Sequence, residues 1–335
     1  MEQFSLLDLT TWSKKRVLIT GASGFIGSKL VKRLTEAGAS VFGTSRVQRV
    51  SHIEHFTWLK GSFEDLVTAK ALLDEIRPDI IFHLSGQVTG STDLKHVQAT
   101  YHSLVTSTVN LLTLATQLGC ERIILVGSCR EPLRTIENPN SPYAAAKLAA
   151  SSYGSMFWEC YQTPVSIVRT FVTYGPGQPR QMLIPHVIHT LLKNENPKLS
   201  SGKWTTDWIY IDDVIDGLIA ASIAPGIEGS VIDLGTGIST SVKEVVQKIY
   251  EIIDTTGEPL FGVLEDRTSE ASSVADVDTA YTKLKWKART SLDNGLNQTI
   301  KAIAQTIQMH LFLFAHSLSE IAIENPHVSV NHIIL

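Results

Sequence analysis

The stretch Arg16-Val17-Leu18-Ile19-Thr20-Gly21-Ala22-Ser23-Gly24-Phe25-Ile26-Gly27 decides how this chain folds. A short β-favouring apolar run enters three glycines spaced three apart, and an amphipathic segment, Ser28 to Gly38, follows. That order reads as strand, tight turn, helix. The same alternation continues along the sequence, with Ser40 to Thr44 as strand, Asp65 to Ile76 as helix, Asp79 to Leu84 as strand, Thr100 to Leu118 as helix and Arg122 to Val126 as strand. Ser141 to Tyr161 is a further helix, opened by Ser141-Pro142 with proline in the first turn, and Val165 to Arg169 is the strand after it.

Strands alternating with helices imply right-handed crossovers, hence an α/β fold of the Rossmann type: a doubly wound parallel sheet with helices on both faces. Beyond Tyr174-Gly175-Pro176-Gly177 the alternation decays into mixed pieces rich in Pro and Gly. The expected organisation is a dinucleotide-binding domain over 1–174 and a smaller, interleaved α/β C-terminal substrate lobe over 175–305. The polypeptide is expected to return to the main sheet near Trp208 to Ile211 and Ser230 to Leu234, and 306–335 forms a tail without clear caps.

With 335 residues, 43% of them hydrophobic and 19% charged, the protein is long enough to bury a full core. A net charge of −4 gives no electrostatic reason to expect nucleic acid or an anionic membrane as partner, so a small molecule is the expected ligand. Cys120, Cys129 and Cys160 show no CxxC spacing, which fits reduced cytoplasmic thiols better than a disulfide framework or a zinc site. No segment reaches the roughly 18 consecutive apolar residues of a membrane span.

In Gly21-x-x-Gly24-x-x-Gly27 the small residues let the backbone approach a pyrophosphate, while the helix N-terminus offers free N–H groups and the positive end of its dipole. A protein that prefers NAD usually carries Asp or Glu about 20 residues later to hold the ribose 2′-hydroxyl. Here the segment is Gly43-Thr44-Ser45-Arg46, and no acid occurs between Glu36 and Glu54. Ser45, Arg46 and Arg49 can donate to a 2′-phosphate, so NADP(H) is the expected cofactor and NAD(H) the alternative.

Tyr143 and Lys147 lie four apart on one helix and share a face, and Ser128 lies just past the strand Arg122 to Val126, at the carboxyl edge where such sheets hold ligands. Interconverting a carbonyl and an alcohol needs a proton donor beside the carbon that exchanges hydride. A phenol of ordinary pKa near 10 is too weak an acid unless a cation favours its ionised form. Lys147 is expected to supply that charge, with Ser128 orienting the substrate oxygen.

Taken with Arg169, Tyr174-Gly175-Pro176-Gly177-Gln178 and Asp207-Trp208-Ile209-Tyr210-Ile211-Asp212-Asp213-Val214, these motifs resemble the extended short-chain dehydrogenase/reductases, in the nucleotide-sugar epimerase/dehydratase branch. The resemblance covers about Lys15 to Ala302. It implies catalytic Ser128, Tyr143 and Lys147, and a cofactor held by Gly21, Ser23, Gly24, Phe25, Ile26, Gly27, Ser45, Arg46, Leu84, Ser85 and Gly86 together with Tyr143 and Lys147. A nucleoside-diphosphate sugar would meet Cys129, Arg130, Thr173, Gln178 and Arg267. It further implies a homodimer formed through a four-helix bundle of Thr100 to Leu118 and Ser141 to Tyr161 from each subunit.

The dehydratases of the branch carry an Asp-Glu pair directly after the catalytic Ser or Thr; Cys129-Arg130 stand there instead, which argues against water elimination. Thr206, Val172, Leu104 and Ser62 replace an Arg, two Asn and an Asp common in the branch. Cys129 is either a base or a core-facing thiol, His83 either a cofactor contact or a satisfied structural group, and Trp204, Trp208 and Tyr210 either stack on a base or pack. The expected activity is NADP(H)-dependent reduction of a nucleotide-linked 4-keto sugar. Redox-neutral 4-epimerisation, reduction of a ketone that is no nucleotide sugar, and non-catalytic dinucleotide sensing remain as alternatives.

Overall fold

A computed structural model describes residues 9–132, 138–266 and 272–324. Its centre is a seven-stranded parallel sheet made of β1 (Arg16–Thr20), β2 (Ser40–Ser45), β3 (Phe56–Lys60), β4 (Ile80–His83), β5 (Arg122–Ser128), β6 (Val165–Thr170) and a later strand, Val231–Leu234. Side chains alternate across this sheet as the pleat requires. Val17, Ile19, Ile80, Phe82, Ile124 and Val126 enter one core, while Leu18, Ile81, Ile123 and Leu125 enter the core on the opposite face. Burial on both faces is why the inner strands read as nearly continuous apolar runs.

The first crossover helix, Phe25–Glu36, buries Gly27, Leu30, Val31, Leu34 and Thr35, the spacing of one helical face. Helix Pro142–Tyr161 begins at Ser141, whose hydroxyl accepts the Ala144 N–H at 3.2 Å, and ends at Gln162 in the left-handed region (φ 55°). Gly154 lets this helix lie close on the sheet, since a Cβ there would stand 3.0 Å from a Leu125 methyl.

A second sheet gathers three short strands, β7 (Val172–Tyr174), β8 (Thr205–Tyr210) and β10 (Ser239–Ser241), in the order β10-β8-β7; the Val231–Leu234 strand is β9 in sequence order and pairs with β6. The stretch Trp208 to Ile211 therefore does not return to the main sheet as expected. β8 pairs with β7 and β10, and Ile211 already opens the helix Ile211–Ile223. Asp207 on β8, fully buried, accepts the N–H of Thr236 at 2.9 Å and of Gly237 at 2.8 Å, and so ties the loop after β9 to the small sheet. The segment beyond residue 305 is not a separate tail within the described residues, because the helix Leu292–Glu324 runs through it without a break. No helix among the described residues is long and apolar enough to cross a membrane.

The order β3-β2-β1-β4-β5-β6-β9 reverses direction between β1 and β4. At that switch point the connections leave to opposite sides and open a crevice at the carboxyl ends. Gly21 follows β1 at φ 72°, and a Cβ on it would stand 2.9 Å from the Leu84 carbonyl carbon and the Ser85 nitrogen. The two strand ends approach here at a distance only glycine permits.

Candidate active site

Four strand ends converge on the crevice. At β1, the turn is closed by the Gly24 N–H donating to the Gly21 carbonyl at 2.9 Å, and Gly24 caps the helix Phe25–Glu36 without any side-chain hydrogen bond. The first turn of that helix contains no acid. An anion-accepting helix start is thereby left open to a ligand. Gly27 has no room for substitution, since its Cβ would fall 2.2 Å from the Gly21 oxygen. Uncapped amides at the switch point, glycine packing beneath them and no repelling carboxylate fit a dinucleotide pyrophosphate.

At β4, the geometry assigns His83 its role. The Thr20 hydroxyl oxygen accepts the N–H groups of Leu84 at 3.2 Å and Ser85 at 3.1 Å and lies 2.8 Å from His83 Nδ1. His83 Nε2 lies 3.1 Å from the Thr108 hydroxyl, which donates to the Leu104 carbonyl at 2.6 Å. One assignment satisfies every atom: Thr20 donates to Nδ1, and the Nε2–H donates to Thr108. Burial and the Lys147 charge hold the imidazole down at about 3, so His83 is neutral. It is the satisfied structural group of the two alternatives, and its work is to hold the rim Leu84-Ser85 against the glycine turn. Leu104 fills the space above Gly86, where a Cβ would collide with its side chain.

Beyond the end of β2, Arg46 is exposed, and so is Arg49. Its Nε donates to the Ser45 hydroxyl at 3.0 Å and its guanidinium stacks on Trp58 at 5.3 Å. Trp58 belongs to β3, a strand the sequence pattern did not reveal.

At β5, Ser128 is the last strand residue and is buried. Tyr143 stands in the first turn of helix Pro142–Tyr161 and Lys147 one turn on, its ammonium donating to the Val126 carbonyl at 2.6 Å. Burial pushes the Tyr143 phenol up to about 12; the Ser128 hydroxyl and the Arg130 charge pull it down, and Cys129 and Glu131 push it further up. Burial also brings Lys147 down to about 8, against the opposing charge of Glu131. In the chain alone, burial acts on the phenol in the direction opposite to the one expected of the Lys147 cation. The Lys147 ammonium is engaged by the Val126 carbonyl.

Glu131 escaped the sequence reading, which weighed only the two residues after Ser128. It is buried, and its Oε1 accepts the Ser128 N–H at 2.6 Å. The signal was available: an acid three residues past a strand end that begins with Gly127, where a Cβ would stand 2.7 Å from that oxygen.

Cys129 is the core-facing thiol of its two readings, packed against the main core and pushed up to about 11 by burial. Arg130 stacks on Trp204 at 4.5 Å, so these two line the cleft together. Trp208 donates to the Thr240 carbonyl at 3.0 Å and Tyr210 to Gln298 Oε1 at 2.9 Å, both packing roles. Thr173 and Gln178 meet after β6, with Gln178 Nε2 donating to the Thr173 carbonyl at 2.9 Å; the buried Gln178 Oε1 has no hydrogen-bond partner. Thr206 is fully buried, so the position where the branch often has Arg lies out of reach of a ligand. Arg267 lies outside the described residues.

A glycine turn at the switch point of a parallel sheet, with Ser, Tyr and Lys at the neighbouring strand end, defines a dinucleotide-dependent enzyme of the short-chain dehydrogenase/reductase type. The sequence profile of the NAD dependent epimerase/dehydratase family matches residues 17–235, and the chain belongs to that family. It is 29% identical over 309 residues to the UDP-glucose 4-epimerase of Mycolicibacterium smegmatis, covering 85% of this chain and 97% of the relative. It is 26% identical to the dTDP-D-glucose 4,6-dehydratase of Mus musculus, covering 86% and 88% of the two proteins. Among solved structures, the UDP-glucuronic acid 4-epimerase of Bacillus cereus, in complex with UDP-glucuronic acid and NAD, superposes with a TM-score of 0.77 at 25% identity, covering 88% of this chain and 99% of that one.

Proposed function

We propose that the protein is an NADP(H)-dependent reductase of a nucleotide-linked 4-keto sugar. The observation that carries this reading is the segment after β2, where no acid stands between Glu36 and Glu54 and Arg49 contacts Ser45 and Trp58. A guanidinium at this place suits a 2′-phosphate, as a charge-assisted donor. The dinucleotide, when bound, supplies the hydride. Ser128 hydrogen-bonds the keto oxygen, and Tyr143 donates the proton that completes the alcohol. Lys147 restores the proton balance of the phenol. Cys129 and Arg130, in place of two acids, leave no pair to eliminate water. Gln178, with an unpartnered amide oxygen beside Thr173, is suited to a sugar hydroxyl, and Arg130 and Arg267 to the diphosphate.

A second reading, 4-epimerisation with a dinucleotide that stays bound, uses the same three residues and is favoured by the likeness to the mycobacterial UDP-glucose 4-epimerase. We further propose a cytoplasmic homodimer through the helices Ser107–Leu118 and Pro142–Tyr161, on whose outer side Tyr153 and Tyr161 are exposed.

Stopped-assay and absorbance measurements on purified protein, given in turn a 4-keto and a 4-hydroxy sugar nucleotide, separate the readings. Reduction consumes one NADPH for each sugar converted; exchange of two sugars without net change at 340 nm assigns the epimerase. In either case Tyr143→Phe is expected to lower kcat by about 10²- to 10⁴-fold, with NADPH affinity retained. Full turnover in that variant refutes both.

A further inference from the structure

We propose that Leu104 is a positioning residue that couples the cofactor rim, Leu84 to Gln87, to Tyr143. The inference rests on the reading of that rim as the dinucleotide's and of Tyr143 as the proton donor.

The helix that carries Leu104 widens midway. Between the α-helical pieces Val97–Thr100 and Ser107–Leu118 it forms a π-helical segment, Tyr101–Thr106. Such wide turns are rare and gather at functional sites. This one presents two consecutive residues to the rim. The Ser103 hydroxyl oxygen accepts the Gln87 N–H at 3.1 Å. Leu104, 2% exposed, covers Gly86 so closely that a Cβ there would collide with its Cδ2. The same leucine forms a small apolar cluster with Val105 and Ala146, and Tyr143 packs against that cluster. Rim and phenol thus lean on one group of side chains.

A chain of hydrogen bonds ties the backbone of Leu104 to the rim as well. Its carbonyl can only accept, so the Thr108 hydroxyl gives it its one proton, at 2.6 Å. Thr108 is then the acceptor for the Nε2–H of His83, at 3.1 Å, which leaves Nδ1 bare to accept the Thr20 hydroxyl at 2.8 Å. The Thr20 oxygen in turn accepts the Leu84 and Ser85 N–H groups. Every proton in the chain has one place, and all bonds point the same way, which strengthens each of them. Leu104 therefore holds the rim twice, by its side chain over Gly86 and by its carbonyl through Thr108, His83 and Thr20. Shortening it opens a void between rim and phenol, and a shift of about 1 Å in a reacting group costs about 10²-fold in rate.

The test compares Leu104→Ala with Leu111→Ala, a truncation in the same helix that faces the core on the opposite side of the sheet. Leu111→Ala shows what lost packing alone does: a lower Tm, with the NADPH Kd and kcat within about twofold of wild type. Leu104→Ala is expected to raise the NADPH Kd about fivefold or more, as for one lost hydrogen bond, and to lower kcat about tenfold or more with the sugar KM nearly unchanged. Leu104→Met, which refills the volume, should return both toward wild type. Thr108→Val keeps the shape and loses the hydroxyl, and it should raise the NADPH Kd about threefold or more, whereas Thr108→Ser should not. A Leu104→Ala variant whose Kd matches that of Leu111→Ala overturns the proposal, however low its Tm. If Leu104→Ala does not fold, equal Kd values for Thr108→Val and Thr108→Ser overturn it.

A further readout needs no ligand. Nitrogen NMR of histidine-labelled protein, with the His83 signals assigned by their loss in His83→Gln, should show a protonated Nε2 and a bare Nδ1; the reverse tautomer overturns the chain. A protein that turns over no sugar nucleotide removes the proposed function, while a wild-type NADPH Kd in Leu104→Ala overturns the role of Leu104 in that case as in any other.

Discussion

Replacing Gly27 by alanine tests whether the glycine turn is a cofactor cradle or only a compact bend. The new methyl would sit 2.2 Å from the Gly21 oxygen and 2.9 Å from the Gly21 carbonyl carbon and Ala22 Cα, all backbone, so no rotamer change can relieve the clash. Relief to an ordinary contact of about 3.2 Å demands that the start of the helix Phe25–Glu36 retreat by roughly 1 Å from the end of β1. Such overpacking costs about 1–3 kcal/mol. At roughly 2 cal/mol/K per residue of unfolding entropy over 335 residues, this lowers Tm by only about 2–4 °C. The same 1 Å displaces the Gly24–Gly27 amides from hydrogen-bonding distance of a pyrophosphate. Losing two such charge-assisted bonds, each about 1.5–3 kcal/mol, weakens dinucleotide binding by two orders of magnitude or more. Protein fluorescence titration with NADPH and with NADH, beside a thermal melt, reads both effects. A Gly27→Ala variant that binds either dinucleotide within threefold of wild type would refute the cradle, whatever its Tm.

Two further changes probe the neighbouring strand ends. Arg49→Leu should raise the NADPH Kd about tenfold or more while NADH changes less than twofold, by the same titration; equal weakening of both would remove Arg49 from the 2′-phosphate. Arg169→Met leaves Asp233, 4% exposed, without the guanidinium now 2.7 Å away, and should cost about 3 kcal/mol, or about 4 °C in Tm. Adding Asp233→Asn to that variant should restore part of the loss, and a double variant as unstable as the single one would show that the pair's charge is not what matters.

Much of this arrangement is legible in the residues because local rules and the fold agree there. Apolar runs ending in a glycine turn, Ser141-Pro142 at a helix start and the four-residue spacing of Tyr143 and Lys147 each state their geometry directly. β3 was hidden because only Phe56 of Phe56–Lys60 is buried, Thr57 and Lys60 being exposed, and it lacks the apolar run of an inner strand. β8 misled for the opposite reason: its buried run reads as an inner strand of the large sheet, but the central strand of a small sheet looks the same. The helix Leu292–Glu324 has no capping signal where it passes Gln308, so its continuation could not be read from ends. Electrostatics was least legible. Spacing brings Lys147 near Tyr143, but only the fold reveals that Val126 takes the ammonium, that burial acts on the phenol and that Glu131 turns inward.

The passage of the polypeptide back and forth between the two sheets has a practical consequence for protein engineering. β9 covers the β6 edge and carries Asp233, yet the loop after it is pinned by Asp207 of the small sheet. A cut at residue 174 would therefore uncover a hydrogen-bonding edge and separate the half-buried Arg169 from the buried Asp233 at once. Chimeras that aim to exchange the proposed sugar preference would transplant the loops around Arg130, Gln178 and Trp204 into an intact frame, since among the described residues the two sheets share their connections.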